Sequence, residues 1–229
     1  MGLRLFAVAS SLAVLAVLAA FAAFLQNWIP KGIDTGMPPI EGGIVFNLLL
    51  LAFFGIVHSA LARPAVKRRL YGANAAWSRP VYIAVSALQL GALLVLWTPM
   101  PGVVWHFSTP AAVGVFLALY GASLLLVAWA IFSIDALHFF GLRTAEPPFA
   151  LKGPYRYVRH PIQTGLIVAL WSAPHMSVGH ALMAAVLTAY SVLATLRLEE
   201  HDLEAALGES YRAYRRDVPA LLPRLWRRR

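Results

Sequence analysis

Two short clusters hold most of the residues in this chain that can carry chemistry. The first is Gly153-Pro154-Tyr155-Arg156-Tyr157-Val158-Arg159-His160-Pro161-Ile162-Gln163-Thr164-Gly165. Gly-Pro makes a turn, and Pro161 suits the first position of a helix, where no N–H is needed. His160 then falls at the N-cap with Arg159 beside it, and backbone N–H groups free at such a terminus can hold an anion such as a carboxylate. The plainer reading of the same residues is an interfacial anchor of Tyr and Arg. The second cluster, Arg197-Leu198-Glu199-Glu200, ends an apolar run. Adjacent carboxylates there need partners, because an unpaired charge in a low-dielectric place is costly. A hairpin of the two flanking apolar segments brings Arg159 and His160 to Arg197, Glu199 and Glu200. The result is either a polar functional site at the membrane boundary or a salt-bridge knot that staples the hairpin.

The elements that must position these clusters are membrane helices. The chain has 229 residues, 60% hydrophobic and only 13% charged, with a mean hydropathy of +0.69; a soluble domain carries about 25% charged residues. Apolar runs predict helices over 3–25, 44–61, 81–97, 111–134, 161–173 and 181–198, separated by Pro, Gly and charge. The fifth is short for a hydrocarbon core that takes about 20 helical residues, and it predicts a tight hairpin with the sixth that turns at Ala173-Pro174-His175. The first run is read as a retained helix rather than a signal peptide, since its apolar stretch exceeds the usual length of one. With six crossings, Arg63, Lys67, Arg68, Arg69, Arg79, Arg143, Lys152, Arg156, Arg159, Arg197 and the tail arginines share one side with Arg4, and Lys31 alone is opposite. The positive-inside rule then places both termini in the cytoplasm. The expected fold is an all-α polytopic membrane protein with five to six transmembrane helices. Beyond Leu198, Glu199 to Glu204 form an acidic helix start, and Tyr211, Tyr214 and Val218 recur among Arg212, Arg215 and Arg216. This predicts an amphipathic C-terminal helix along the cytoplasmic interface.

The formal charge of +9 is read as a topological signal facing anionic membrane lipid, not as a nucleic-acid footprint. Cys is absent, which excludes disulfides, thiolate metal sites and a cysteine nucleophile. His58, near a helix end beside Arg63, is either a satisfied interfacial residue or part of a substrate entrance. His106 and His138 flank the fourth helix at opposite ends and cannot share a metal, and His175 and His180 are expected to be solvated on the far-side turn; no metal site is predicted. The His residues offer no facing pair at matching depth for haem. Asp135 faces either Arg143 or loop water.

GPYRYVRHP with the following Gly165, RLEEHDL, and GESYRAYRRDVPALLPR resemble the C-terminal signature of membrane methyltransferases related to isoprenylcysteine carboxyl methyltransferase. HSALARP from His58 followed by Lys67-Arg68, PMPGVVW (Pro99 to Trp105) and FFGLRT (Phe139 to Thr144) are similar to bacterial methanethiol S-methyltransferases and to a related membrane family associated with denitrification genes. The resemblance implies one methyltransferase domain, with N-terminal helices over 3–134 and a cofactor-binding half over 135–229. It implies S-adenosylmethionine as cofactor, bordered by Tyr157, Arg159, His160, Pro161, Gln163 and Gly165, with Glu199 and Glu200 on its polar groups or on the substrate. His58, Arg143 and Gln163 are implied near the substrate, and Arg159, His160, Glu199 and Glu200 in catalysis. Arg159 and Glu200 are thus expected to be needed for turnover rather than for folding. The implied acceptor is a small thiol, with a prenylated or other lipid carboxylate as the second choice; outside the resemblance, the alternative function is that of a non-catalytic membrane factor. Gln163 departs from the family pattern, which has Tyr there, and this bears on the substrate more than on the cofactor.

Overall fold

Inside lipid a backbone can satisfy its N–H and C=O groups only internally, so the long apolar runs become helices. In the computed structural model, which describes residues 2–143 and 151–224, these are α1 (Gly2–Leu25), α2 (Gly43–Ala62), α4 (Ser78–Leu96), α5 (Pro110–Ile134), α7 (Pro161–Trp171) and α8 (Val178–Leu193). Short helices α3 (Pro64–Tyr71), α6 (Ala136–Phe139), α9 (Glu200–Leu207) and α10 (Glu209–Asp217) complete the set. Thr144 of the FFGLRT stretch and the arginines at 227–229 lie outside the described residues. Five helical stretches are long and apolar enough to cross a membrane, the last running Val178–Leu207 through α8 and α9. The protein is an all-α polytopic membrane protein, as the sequence predicts, apart from one small ladder described below.

Contacts along the helices fix their directions. Phe6 packs on Trp77 and Val17 on Gly91, so α1 and α4 run parallel and the return between them is α2. One end of the bundle therefore gathers 63–79, 135–143, 151–161 and 194–224, with nearly all the Arg and Lys among the described residues. The opposite end gathers 26–42, 97–109 and 172–177. There Asn47 pins α2 to the end of α4, donating to the Thr98 carbonyl at 2.8 Å and accepting from the Thr98 N–H at 3.0 Å. The main core lies toward this end, where Phe24, Ile33, Trp97, Tyr120, Leu170 and Met183 are buried.

The α7–α8 hairpin forms as predicted, but its turn contains a strand. Residues His175–Ser177 (β2) pair antiparallel with Val103–His106 (β1) from the α4–α5 connection. His180, expected to be solvated, is fully buried one turn into α8, with its Nε2 against the Leu170 carbonyl at 3.0 Å. The correction has a simple cause: the ladder ties the turn down over the hairpin, and Ser177 caps α8 by accepting from the His180 N–H.

Helix α7 has 11 residues, so it rises about 16 Å, roughly half a hydrocarbon core. Gly165, four residues into the helix, packs against Val127, about seven residues or roughly 10 Å before the end of α5, so α7 begins roughly 4–5 Å short of that end. Small residues permit such close approach between membrane helices. A Cβ on Gly165 would lie 2.6 Å from Val127 Cγ2 and 2.8 Å from the Ser123 carbonyl oxygen. Gly165→Ala is expected to cost about 1–3 kcal/mol by overpacking. Adding Val127→Ala should recover only part of that loss, since the Ser123 carbonyl cannot move away. Thermal unfolding of the three proteins in detergent measures this.

Candidate active site

The first polar cluster is built on a turn that only glycine can begin. Gly153 has φ 51°, and a Cβ there would meet Ser133 Oγ at 2.2 Å. The turn Gly153–Arg156 leads to His160 at the N-cap of α7 and Pro161 at its first position. The second cluster follows α8, where the helix widens into a π-helical segment, Ala194–Glu199, before α9. Such wide turns re-aim side chains and recur at functional sites. Here both carboxylates of the Glu199-Glu200 pair reach the start of α7, so the hairpin joins the two clusters.

Arg159 and Glu200 form a buried ion pair, with Nε and Nη2 of Arg159 donating to Glu200 Oε1 at 2.9 and 2.5 Å. Nη1 donates to the carbonyls of Arg215, at 3.2 Å, and Val218. Glu200 Oε2 faces Arg215 Nε at 3.5 Å. A backbone strap adds to this: the N–H groups of Arg159 and His160 donate to Pro219 and Ala220 at 2.9 and 3.0 Å, and Thr164 Oγ1 donates to Leu221 at 2.7 Å. Those two N–H groups are therefore committed to the chain itself and do not await an anion.

His160 stands between the two carboxylates. Its Nε2 lies 3.2 Å from Glu200 Oε1 and its Nδ1 lies 3.7 Å from Glu199 Oε2. Gln163 Nε2 donates to Glu199 Oε2 at 3.1 Å. Side-chain exposure separates the members: Arg159 keeps 7%, Glu200 and His160 each 3%, and Glu199 43%. Glu199 is the carboxylate that a ligand can reach.

The other predicted residues have separate places. Tyr157 is exposed, and Pro161 is buried at the start of α7. Gly165 faces α5 rather than the carboxylates. Arg143 pairs with Asp135 at 2.5 Å, and the backbone N–H of His138, with that arginine, holds the Asp135 carboxyl below its ordinary range. Arg197 lines the groove described next. His58 is satisfied by Tyr82 Oη at 2.7 Å and Ser86 Oγ at 3.2 Å, and it stacks on Phe54. Beside it, Ser59 and Tyr190 hydrogen-bond at 2.9 Å, at the wall of an apolar groove of ≈450 Å³ between α2 and α8. Arg63 continues this side with an ion pair to Asp202 at 2.8 Å.

Helix α10 does not simply lie along an interface. Tyr211, Tyr214 and Val218 are buried against Leu203 and Leu207 of α9, and Tyr214 Oη donates to the Tyr155 carbonyl at 2.7 Å. Burial pushes the Tyr211 phenol up to about 12, so it stays protonated at neutral pH. Sequence reasoning found the charged residues but not the strap of carbonyls from Val218 to Leu221, whose only signal was the VPALLP run itself.

Burial changes the expected consequence of replacing Arg159 or Glu200. Breaking a buried pair leaves an uncompensated charge and costs about 3–5 kcal/mol. Arg159→Met and Glu200→Met are each expected to lower the melting temperature sharply in detergent and to reduce the folded fraction, before any question of turnover arises. Melts that match the wild type would show that the pair does not hold the fold.

No family model matches the chain, and no solved structure does. Among curated proteins, it is 39% identical to methanethiol S-methyltransferase 2 of Bradyrhizobium diazoefficiens over 90% of this chain and 84% of that one. It is 36% identical to methanethiol S-methyltransferase of Mycobacterium tuberculosis, over 85% and 84%. Nurim of Bos taurus is 32% identical over 70% of this chain and 68% of its own. With relatives of this identity matched over most of their own length, the chain belongs to the methanethiol S-methyltransferase family, as a membrane-embedded methyltransferase.

Proposed function

We propose that this protein transfers a methyl group from S-adenosylmethionine to a small thiol such as methanethiol, giving a methyl thioether, at the cytoplasmic face. The observation that carries this reading is Glu199: a carboxylate left reachable, oriented by Gln163 and His160, in a chain 39% identical to a methanethiol S-methyltransferase. When bound, S-adenosylmethionine would supply a methyl group activated by its cationic sulfur, open to in-line attack by an acceptor sulfur with S-adenosylhomocysteine as the leaving group. The residues fit such a molecule, since a reachable carboxylate held by Gln163 and His160 suits a cation and the basic end meets the aqueous side. Glu199, Gln163 and Tyr157 border the cofactor in this reading, in the half from 135 onward. Arg159 and Glu200 act as positioning residues, and Gly165 sets the approach of α7 to α5.

A simple alkyl thiol lacks the amide groups that acidify a Cys side chain (pKa about 8.5) and is a weaker acid still, so it must lose a proton to react well at neutral pH. Glu200, committed to Arg159, is the wrong base. With His160 Nε2–H donating to Glu200, the Nδ1 lone pair is left toward Glu199, and these two share the proton taken from the thiol. The apolar groove between α2 and α8 suits a small acceptor that partitions into the bilayer. Desolvation and alignment supply the rest of the acceleration.

Methyl-labelled cofactor, purified protein and a panel of thiols, lipids and carboxylates test the proposal. Labelled dimethyl sulfide from methanethiol is expected, and Glu199→Gln should lower its formation about a hundredfold while leaving the melting temperature close to wild type. Label appearing only on lipid carboxylates, or full activity in Glu199→Gln, overturns the acceptor and the role of Glu199 respectively.

A further inference from the structure

At the end of the bundle opposite this cluster, the β1–β2 ladder makes a pairing that the helix pattern does not foretell. His106 and His175 are register partners, and directly opposed residues of an antiparallel pair point to the same face. Their Nδ1 atoms lie 3.1 Å apart, and the rings stand at 72°. His106 is exposed and His175 half-buried, so solvent reaches the pair.

We propose that His106 and His175 form a binding site for one imidazole-preferring divalent ion: zinc, nickel or copper. With metal–nitrogen bonds of about 2.0 Å, nitrogens 3.1 Å apart subtend roughly 100° at the ion, between a right angle and the tetrahedral angle. In the metal-free pair one ring donates its Nδ1–H to the other. On binding, that ring's proton sits on Nε2 and both Nδ1 lone pairs face the ion, so the charge changes only by that of the metal. Among the described residues no third His, Cys, Asp or Glu joins a metal-binding group, which leaves the remaining positions to water.

The scaffold around the pair is well tied. Phe107 N–H donates to the Pro174 carbonyl and Trp105 Nε1 to that of Ala173, both at 2.9 Å. Phe107 stacks on Phe116, Trp105 on Trp171, and Met176 between the histidine and the α8 cap is buried. Ligands held on a rigid ladder lose little freedom on binding. A bound ion clips the α4–α5 connection to the α7–α8 turn, reinforcing the far end of the hairpin.

The test uses the full chain with an affinity tag free of histidine, purified in detergent and stripped with chelator. Titration with nickel or zinc chloride, by calorimetry and by thermal melts, is expected to show one ion per chain and a metal-dependent rise in melting temperature. His106→Ala and His175→Ala should each weaken binding at least tenfold and abolish that rise, and His106→Gln, which keeps size and polarity, gives the same reading should an alanine variant unfold. Absence of saturable binding, or undiminished affinity in the folded variants, overturns the proposal.

Discussion

A guanidinium and a carboxylate buried together at the basic end of a membrane bundle impose the geometry of everything around them. Arg159 carries five donors and Glu200 two acceptor oxygens, and neither can be left short of partners in a low-dielectric place. The pair therefore recruits the carbonyls of Arg215 and Val218, and with them the strap that closes over the start of α7. That strap uses up the N–H groups of Arg159 and His160, holds α10 against α9, and leaves Glu199 as the carboxylate with surface to offer. The staple and the site are parts of one arrangement rather than competing readings of it.

Depth follows from the same constraint. Because α7 begins roughly 4–5 Å short of the end of α5, its N-terminal polar groups lie slightly below that end. A charged, water-soluble donor and an apolar acceptor must meet somewhere between water and hydrocarbon. A recessed carboxylate beside a groove between α2 and α8 offers such a place.

Much of this was legible in the sequence. The six apolar runs match the helices closely, because burial in lipid leaves the backbone few alternatives. The hairpin and the convergence of the RHP and Glu-Glu segments followed from helix count and charge. What was not legible rests on backbone groups and tertiary contacts. The β1–β2 ladder joins four residues to three across distant connections, without any alternating pattern to announce it. The strap acts through carbonyls that every residue possesses. The different exposure of Glu199 and Glu200 arises where the π-helical segment ends, at Glu199, which no composition rule marks. His180 looked solvated because its neighbours are turn residues, and only the ladder folded over it makes it core.

The account's central claim is that Glu199, rather than the buried pair beside it, meets the methyl donor. Equilibrium binding of labelled S-adenosylmethionine to the wild-type protein and to Glu199→Gln tests this most directly, with melting temperatures taken on the same samples. Affinity weakened at least tenfold in a variant that melts like the wild type is the predicted result. Equal affinity in the two folded proteins would contradict it.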